Sequence, residues 1–255
     1  MSRDNLSPDV IRATLVFLLL LAIKVACLPF WRVKYRWIKP PLPHPWRKIR
    51  VVALLNHTSL FEPIFAAGVP TTFLWQLAFH GVVPIAQKTA SRPLVGWLFK
   101  LIARNAVPIS RERDHTWAAV LERIEPDSMV VILPEGRMKR ANGLDLQGQP
   151  MSVRGGIADI LQTITQGRLL LAFSGGLHHV QIPGQRMPRL FQTVGLMLEV
   201  MEIADYRAEI ASHGREFKLD VRADLEERRD LYCPQAADLA GHEYLRPAVS
   251  IQESR

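Results

Sequence analysis

From Ala13 to Phe30 the chain reads ATLVFLLLLAIKVACLPF, an apolar run interrupted only by Thr14 and Lys24. It is about long enough to cross a hydrocarbon core, which needs roughly 20 apolar residues. A lysine near the middle costs an inserted helix about 2.5–3.5 kcal/mol, unless its ammonium snorkels to the interface or the helix sits in one leaflet. Spanning and one-leaflet insertion both stay open. Beyond Pro40, Pro41, Pro43 and Pro45, a stiff extended spacer, the pattern changes to short apolar and β-branched runs. Arg50–Leu55 (RVVALL), 82–87, 106–109, 129–133 and 169–173 each read as a buried strand. Between them, 93–103 (opened by Pro93), 116–124 (with Asp114 as candidate cap) and 156–164 carry helical spacing. Residues 216–230 read as strand then charged helix, and the last twenty or so as loosely structured. Strands alternating with helices predict a layered α/β domain behind an N-terminal membrane helix. The expected division is 1–47 for anchor, interfacial segment and linker, 48–235 for the folded domain, and 236–255 for a tail.

With 255 residues there is room for one sizeable domain plus an anchor. The net charge of +8 suits nucleic acid, anionic membrane or anionic substrate alike, and its distribution separates them. No acidic residue lies between Asp9 and Glu62, while Arg32, Lys34, Arg36, Lys39, Arg47, Lys48 and Arg50 follow the apolar run closely. Trp31, Trp37 and Trp46 stand among them, as expected where a chain leaves a bilayer and runs along the headgroups. Each such cation contributes about 1 kcal/mol near an anionic leaflet. The positive-inside tendency then puts the domain on the cytoplasmic face of the inner membrane. A cleaved signal peptide is disfavoured: no small-x-small site follows the run, and Lys24-Val25-Ala26-Cys27 has a charge where a lipoprotein signal needs an apolar residue. A nucleic-acid module fits poorly, because the basic run abuts an apolar segment and no recognition element appears.

The two cysteines, Cys27 and Cys233, form no C-x-x-C or Cys/His cluster, so neither a disulfide framework nor a zinc site is indicated. His178 and His179, if on a strand, point to opposite faces and read as structural; no metal is expected. The chemistry concentrates in Asn56-His57-Thr58-Ser59-Leu60-Phe61-Glu62-Pro63, where a buried strand ends and a helix begins. Proline favours the first helical position, which makes Glu62 the N-cap and leaves His57 in the preceding loop. If the carboxylate accepts from one ring nitrogen, the other can take a proton from a bound hydroxyl, a role worth about 10²–10⁴ in rate. Alternatively Ser59 and Glu62 form a capping box and His57 is an ordinary loop residue. That register puts Pro63 at the fourth helical position, where its missing N–H should have made the first helical bond.

The same stretch resembles the histidine-x4-aspartate motif of the glycerolipid and lysophospholipid acyltransferases, the PlsC-like superfamily, in which the histidine is the base on the acceptor hydroxyl. Three further blocks follow in the family's order. Lys88 through Arg111 resembles the second block, with Pro93 and Gly96 in a Pro-x-x-Gly helix leading to a strand that ends in arginine; the resemblance implies that Arg111 contacts the acceptor phosphate. Leu133-Pro134-Glu135-Gly136 resembles the phenylalanine-proline-glutamate-glycine block, which implies that Glu135 and Gly136 line the acceptor site. Arg154-Gly155-Gly156 resembles the downstream basic-x-glycine step. The family's fold, a layered mixed β-sheet flanked by helices, is implied with it. Catalytic roles fall on His57 and Glu62, and substrate contacts on Asn56, Ser59, Lys88, Arg111, Glu135, Gly136 and Arg137.

The sequence departs from the pattern at three places. Glu62 replaces the usual aspartate, Arg137-Met138-Lys139-Arg140 replaces threonine-arginine-serine, and the fourth block, Leu170 to Gly176, lacks its proline. The resemblance implies direct transfer from acyl-CoA or acyl carrier protein, without cofactor, to a membrane lipid such as a lysophospholipid, or to glycerol phosphate. An acyl-enzyme has no evident nucleophile, since the chain lacks a G-x-S-x-G elbow and neither cysteine lies near the motifs. A lipid hydrolase using the same pair, and an inactive membrane-binding relative, are the alternatives.

Overall fold

The computed structural model describes residues 7–86, 105–109, 115–182, 184–185, 187–214 and 216–242. The helix expected over 93–103, and with it Lys88 and Arg111, lies outside the described residues.

The first helix, α1 (Pro8–Cys27), begins before the apolar run, where Ser7 Oγ accepts the Val10 N–H and Pro8 presets the first turn. Ala13, Val16 and Leu20, at helical spacing, are buried against the rest of the protein. Ile11, Leu15, Leu18 and Val25 form an exposed apolar stripe on the other side. Lys24 does not face outward. Its Nζ donates to the carbonyls of Ala67 (2.9 Å) and Val69 (2.8 Å), satisfying the end of a short 3-10 helix, Glu62–Ala67.

The described strands form one seven-stranded sheet in the order β1-β7-β6-β2-β5-β3-β4. They are β1 (Trp31–Trp37), β2 (Ile49–Leu55), β3 (Gly81–Ala86), β4 (Asn105–Ile109), β5 (Met129–Ile132), β6 (Arg168–Ser174) and β7 (Gln192–Glu202). Only the β6–β7 pairing is antiparallel, so the sheet is mixed. Central β2 is apolar on both faces because both faces are covered. On one face Val51, Ala53, Leu169 and Leu171 pack against α4 (Gly156–Thr163), α5 (Ile203–Ala211) and α6 (Phe217–Ala240). On the other, Ile49, Val52 and Leu170 meet α1 and α2 (Thr71–His80), and Leu196 and Leu198 meet the 3-10 helix. The remaining described helix, α3 (His115–Glu122), sends Trp117 Nε1 to Asp159 on α4 at 3.0 Å.

The structure corrects several expectations. Trp31–Trp37, expected ahead of the folded domain, forms an edge strand paired in parallel with β7, so the sheet starts well ahead of Lys48. Its alternation turns Trp31, Val33 and Trp37 toward the 3-10 helix and sends Arg32, Lys34 and Arg36 to the opposite, exposed face, away from α1. Charged residues on an edge strand also discourage pairing with another chain. Residues 217–240 are helical throughout, with no strand at 216, and α6 runs past 236 into the expected tail. It closes on Gly241 in the left-handed region. The helix lies against backbone: a Cβ at Gly195 would stand 1.9 Å from the Ala236 carbonyl oxygen. The strand β7 and the helices α2 and α5 have no counterpart in the sequence reading; Glu199 interrupts the apolar pattern of β7 and is buried there between Lys39 (3.0 Å) and Arg228 (2.7 Å).

Candidate active site

The parallel strands β5, β2 and β6 lie side by side, and the loops at their carboxyl ends bring His57, Glu135 and Ser174–Gly176 together. Such strand ends are where open α/β sheets collect ligands. Asn56 makes the turn out of β2 with a φ of +66°, a conformation asparagine tolerates better than most residues. Its Nδ2 donates to Ser174 O at 2.8 Å, tying the loop after β2 to the end of β6.

His57 Nδ1 lies 2.7 Å from Glu62 Oε1, which also accepts the backbone N–H groups of Thr58 (3.3 Å) and Ser59 (3.4 Å). A carboxylate cannot donate, so Nδ1 carries the proton and the neutral ring keeps its lone pair on Nε2. Nε2 has no hydrogen-bond partner among the described residues, and the His57 side chain retains 11% exposure. Burial pulls the His57 pKa down, but the charge and hydrogen bond of Glu62, with the charge of Glu135, outweigh it and raise the imidazole above its ordinary value. Phe61, not Glu62, is the N-cap of the 3-10 helix, and no side chain caps it; of the Ser59–Glu62 capping box only the half from the Ser59 N–H to Glu62 forms, while the Ser59 hydroxyl takes the Phe61 N–H instead.

Glu135, only 1% exposed, acts on the same histidine from beneath: its Oε2 accepts the His57 N–H at 2.9 Å. The Lys139 N–H donates in turn to His57 O at 2.7 Å, so the residue is held at both backbone groups by the segment after β5. Arg229 of α6 brings Nη1 to 3.5 Å from Glu135 Oε1. Burial pushes the Glu135 carboxyl up, against the pull of the His57 N–H, Arg229, the His57 ring and Lys139. Gly136 holds a φ of +60°, and a Cβ there would crowd Arg154 Cδ at 3.1 Å.

Other expected contacts take different positions. Ser59 is buried, with its hydroxyl donating to Gln181 Oε1 (2.8 Å) and accepting the Phe61 N–H (3.2 Å), so it orders the loop. Arg137 pairs closely with buried Asp145, whose other oxygen accepts the Gln147 and Gln149 N–H groups, so its guanidinium anchors the loop after β5. His178 and His179 lie in a turn, not a strand; their Nε2 atoms meet Lys139 O (3.0 Å) and Thr193 O (2.8 Å), which are structural contacts. Thr58, Gln181 and Arg229 carry no local signal in the sequence and gain their places only through folding. Among the described residues no group of three metal-ligating side chains occurs. A cleft of about 440 Å³ lined by Lys48, Arg50, Trp75 and His80 opens at the other end of the strands, away from His57.

In three dimensions the chain is similar to the 1-acyl-sn-glycerophosphate (LPA) acyltransferase PlsC from Thermotoga maritima, with a TM-score of 0.55 and 15% identity over 89% of this chain and 86% of that one. At that identity the likeness is one of fold. No curated protein matches the sequence. A family model described as Acyltransferase matches residues 39–182, more than half of the 255 residues and the stretch that holds His57, Glu62, Glu135 and Gly136. The chain therefore belongs to the Acyltransferase family.

Proposed function

We propose that this acyltransferase moves a fatty acyl group from an acyl thioester, acyl-CoA or acyl carrier protein, to the hydroxyl of a lysophospholipid or glycerol phosphate-type acceptor. The observation that carries this reading is the 2.7 Å contact between His57 Nδ1 and Glu62 Oε1, which leaves Nε2 as the proton acceptor. Nε2 removes the acceptor hydroxyl proton as the oxygen attacks the thioester carbonyl carbon. The tetrahedral intermediate collapses with cleavage of the C–S bond, and the thiolate leaves with the proton returned by the imidazolium. Glu62 stabilises that imidazolium, and Glu135 fixes the backbone from which the ring projects. No acyl-enzyme and no cofactor enter this scheme.

Membrane attachment through α1 fits the same substrates. The exposed stripe of Ile11, Leu15, Leu18 and Val25 suits hydrocarbon, while the opposite face and Lys24 are taken up by the domain itself. A helix docked along its length in this way supports insertion into one leaflet over a perpendicular crossing, with the domain on the cytoplasmic side. The test is donor-dependent product formation by the detergent-solubilised full chain, offered lysolipids and glycerol phosphate with acyl-CoA or acyl carrier protein. His57→Ala should abolish product while leaving liposome binding intact. Acyl release without acceptor would instead indicate a hydrolase, and activity surviving in His57→Ala would remove the base from the scheme.

A further inference from the structure

Near the catalytic loop a second group of apolar side chains faces outward. Met187 is 78% exposed, Phe191 74% and Leu190 43%. Phe191 also holds a φ of +60°, a region that bulky residues rarely occupy. What keeps it there is its N–H, which donates to Phe30 O at 2.6 Å. The Phe30 and Phe191 rings lie 6.0 Å apart, and Phe30 follows Leu28, the exposed C-cap of α1. Trp31 Nε1 donates to Arg189 O at 2.9 Å, fastening the same segment to the start of β1. The apolar stripe of α1 thus continues through Leu28 and Phe30 to Phe191.

The segment is tied to the site as well as to the helix. Ser59 Oγ donates to Gln181 Oε1, and Gln181 Nε2 donates to Gln185 O, both at 2.8 Å. Thr58 Oγ1 accepts the Leu177 N–H at 2.7 Å. A large aromatic ring held outward in a strained backbone conformation, contiguous with an apolar helix stripe, is costly in water and favourable in lipid. Exposed Arg189, within the same segment, favours an anionic surface.

We propose that Met187, Leu190 and Phe191, with Phe30, insert into the same anionic phospholipid leaflet as α1 and extend its footprint, so that the His57 loop, tied to this segment through Ser59 and Gln181, sits at the leaflet surface and takes a lipid acceptor from it. The route to His57 rests on the acyltransferase reading given above; the insertion itself does not.

The experiment uses the full chain in phosphatidylglycerol–phosphatidylethanolamine vesicles. A thiol-reactive, environment-sensitive dye is placed at Met187→Cys in a Cys27→Ser background, where Cys233 is buried. A second label at Glu227→Cys marks the exposed side of α6, which covers the other face of the sheet. On adding vesicles, the Met187 label should shift to the blue and lose most of its quenching by iodide, while the Glu227 label keeps both. Equal quenching at the two positions would overturn the proposal, whether or not the chain transfers acyl groups. Met187→Asp with Phe191→Asp should lower turnover of vesicle-embedded lysolipid about ten-fold, with turnover of a water-dispersed short-chain acceptor unchanged. An equal loss on both acceptors, or none on either, would count against the insertion.

Discussion

The Glu135 carboxylate accepts the backbone N–H of His57 at 2.9 Å, joining two loops 78 residues apart in sequence. His57 is therefore held twice, at its ring by a neighbour in its own loop and at its main chain by a buried carboxyl group from the adjacent strand's loop. A group fixed in this way loses little entropy on reaching a productive geometry.

The ring pair sets the pH dependence. With His57 as the proposed base, turnover should rise with pH through a His57 pKa that lies above its ordinary value. Glu62→Gln should move that acid limb to lower pH and slow turnover across the range, because the imidazolium loses its counter-charge. In stability the sign is opposite. The raised folded pKa contributes stability that is fully present below the unfolded value and lost as pH rises through the folded one. Denaturant melts of the two proteins at a series of pH values should converge on the alkaline side.

Removing Arg229 should unsettle the site from a distance. Arg229→Met leaves the buried Glu135 charge without its α6 partner, a change of the kind that costs about 3–5 kcal/mol. Glu135→Gln with Arg229→Met should recover part of that loss. The double-mutant cycle by urea unfolding measures the coupling, and additive losses would show that the two side chains do not interact.

Lys24 links α1 to the 3-10 helix that follows His57. Lys24→Met removes the donor to Ala67 O and Val69 O and should destabilise the 3-10 helix by about 1–3 kcal/mol. Since Glu62 opens that helix, kcat should fall more than KM rises. A melt unchanged from the unmodified protein would mean that the contacts carry no net stability.

Gly195→Ala should unfold the packing of α6 on the sheet. A Cβ there meets the Ala236 carbonyl oxygen at 1.9 Å, so helix or strand must move, at a cost of about 1–3 kcal/mol or more. Thermal melting should show a clear drop in Tm, whereas Gly148→Ala, with open space around it, can lose stability only through its φ of +74°.

Much of the site is local and therefore legible in the sequence. His57 and Glu62 are five residues apart, and Pro63 favours a helical first turn there, so local spacing brings carboxylate and ring within reach. The strands β2, β5 and β6 are equally plain, because a strand covered on both faces must be apolar at nearly every position. The strand that holds Arg32, Lys34 and Arg36 was not legible, because a run of charges beside an apolar segment has one look whether or not it edges a sheet. What only the tertiary structure decided is partnership across the chain. The order of strands sets Glu135 beneath His57, α6 delivers Arg229, and β7 accepts β1. None of these pairs leaves a periodicity in the sequence, since each depends on which strand lies beside which, and that is fixed by the packing of two helical layers on the sheet.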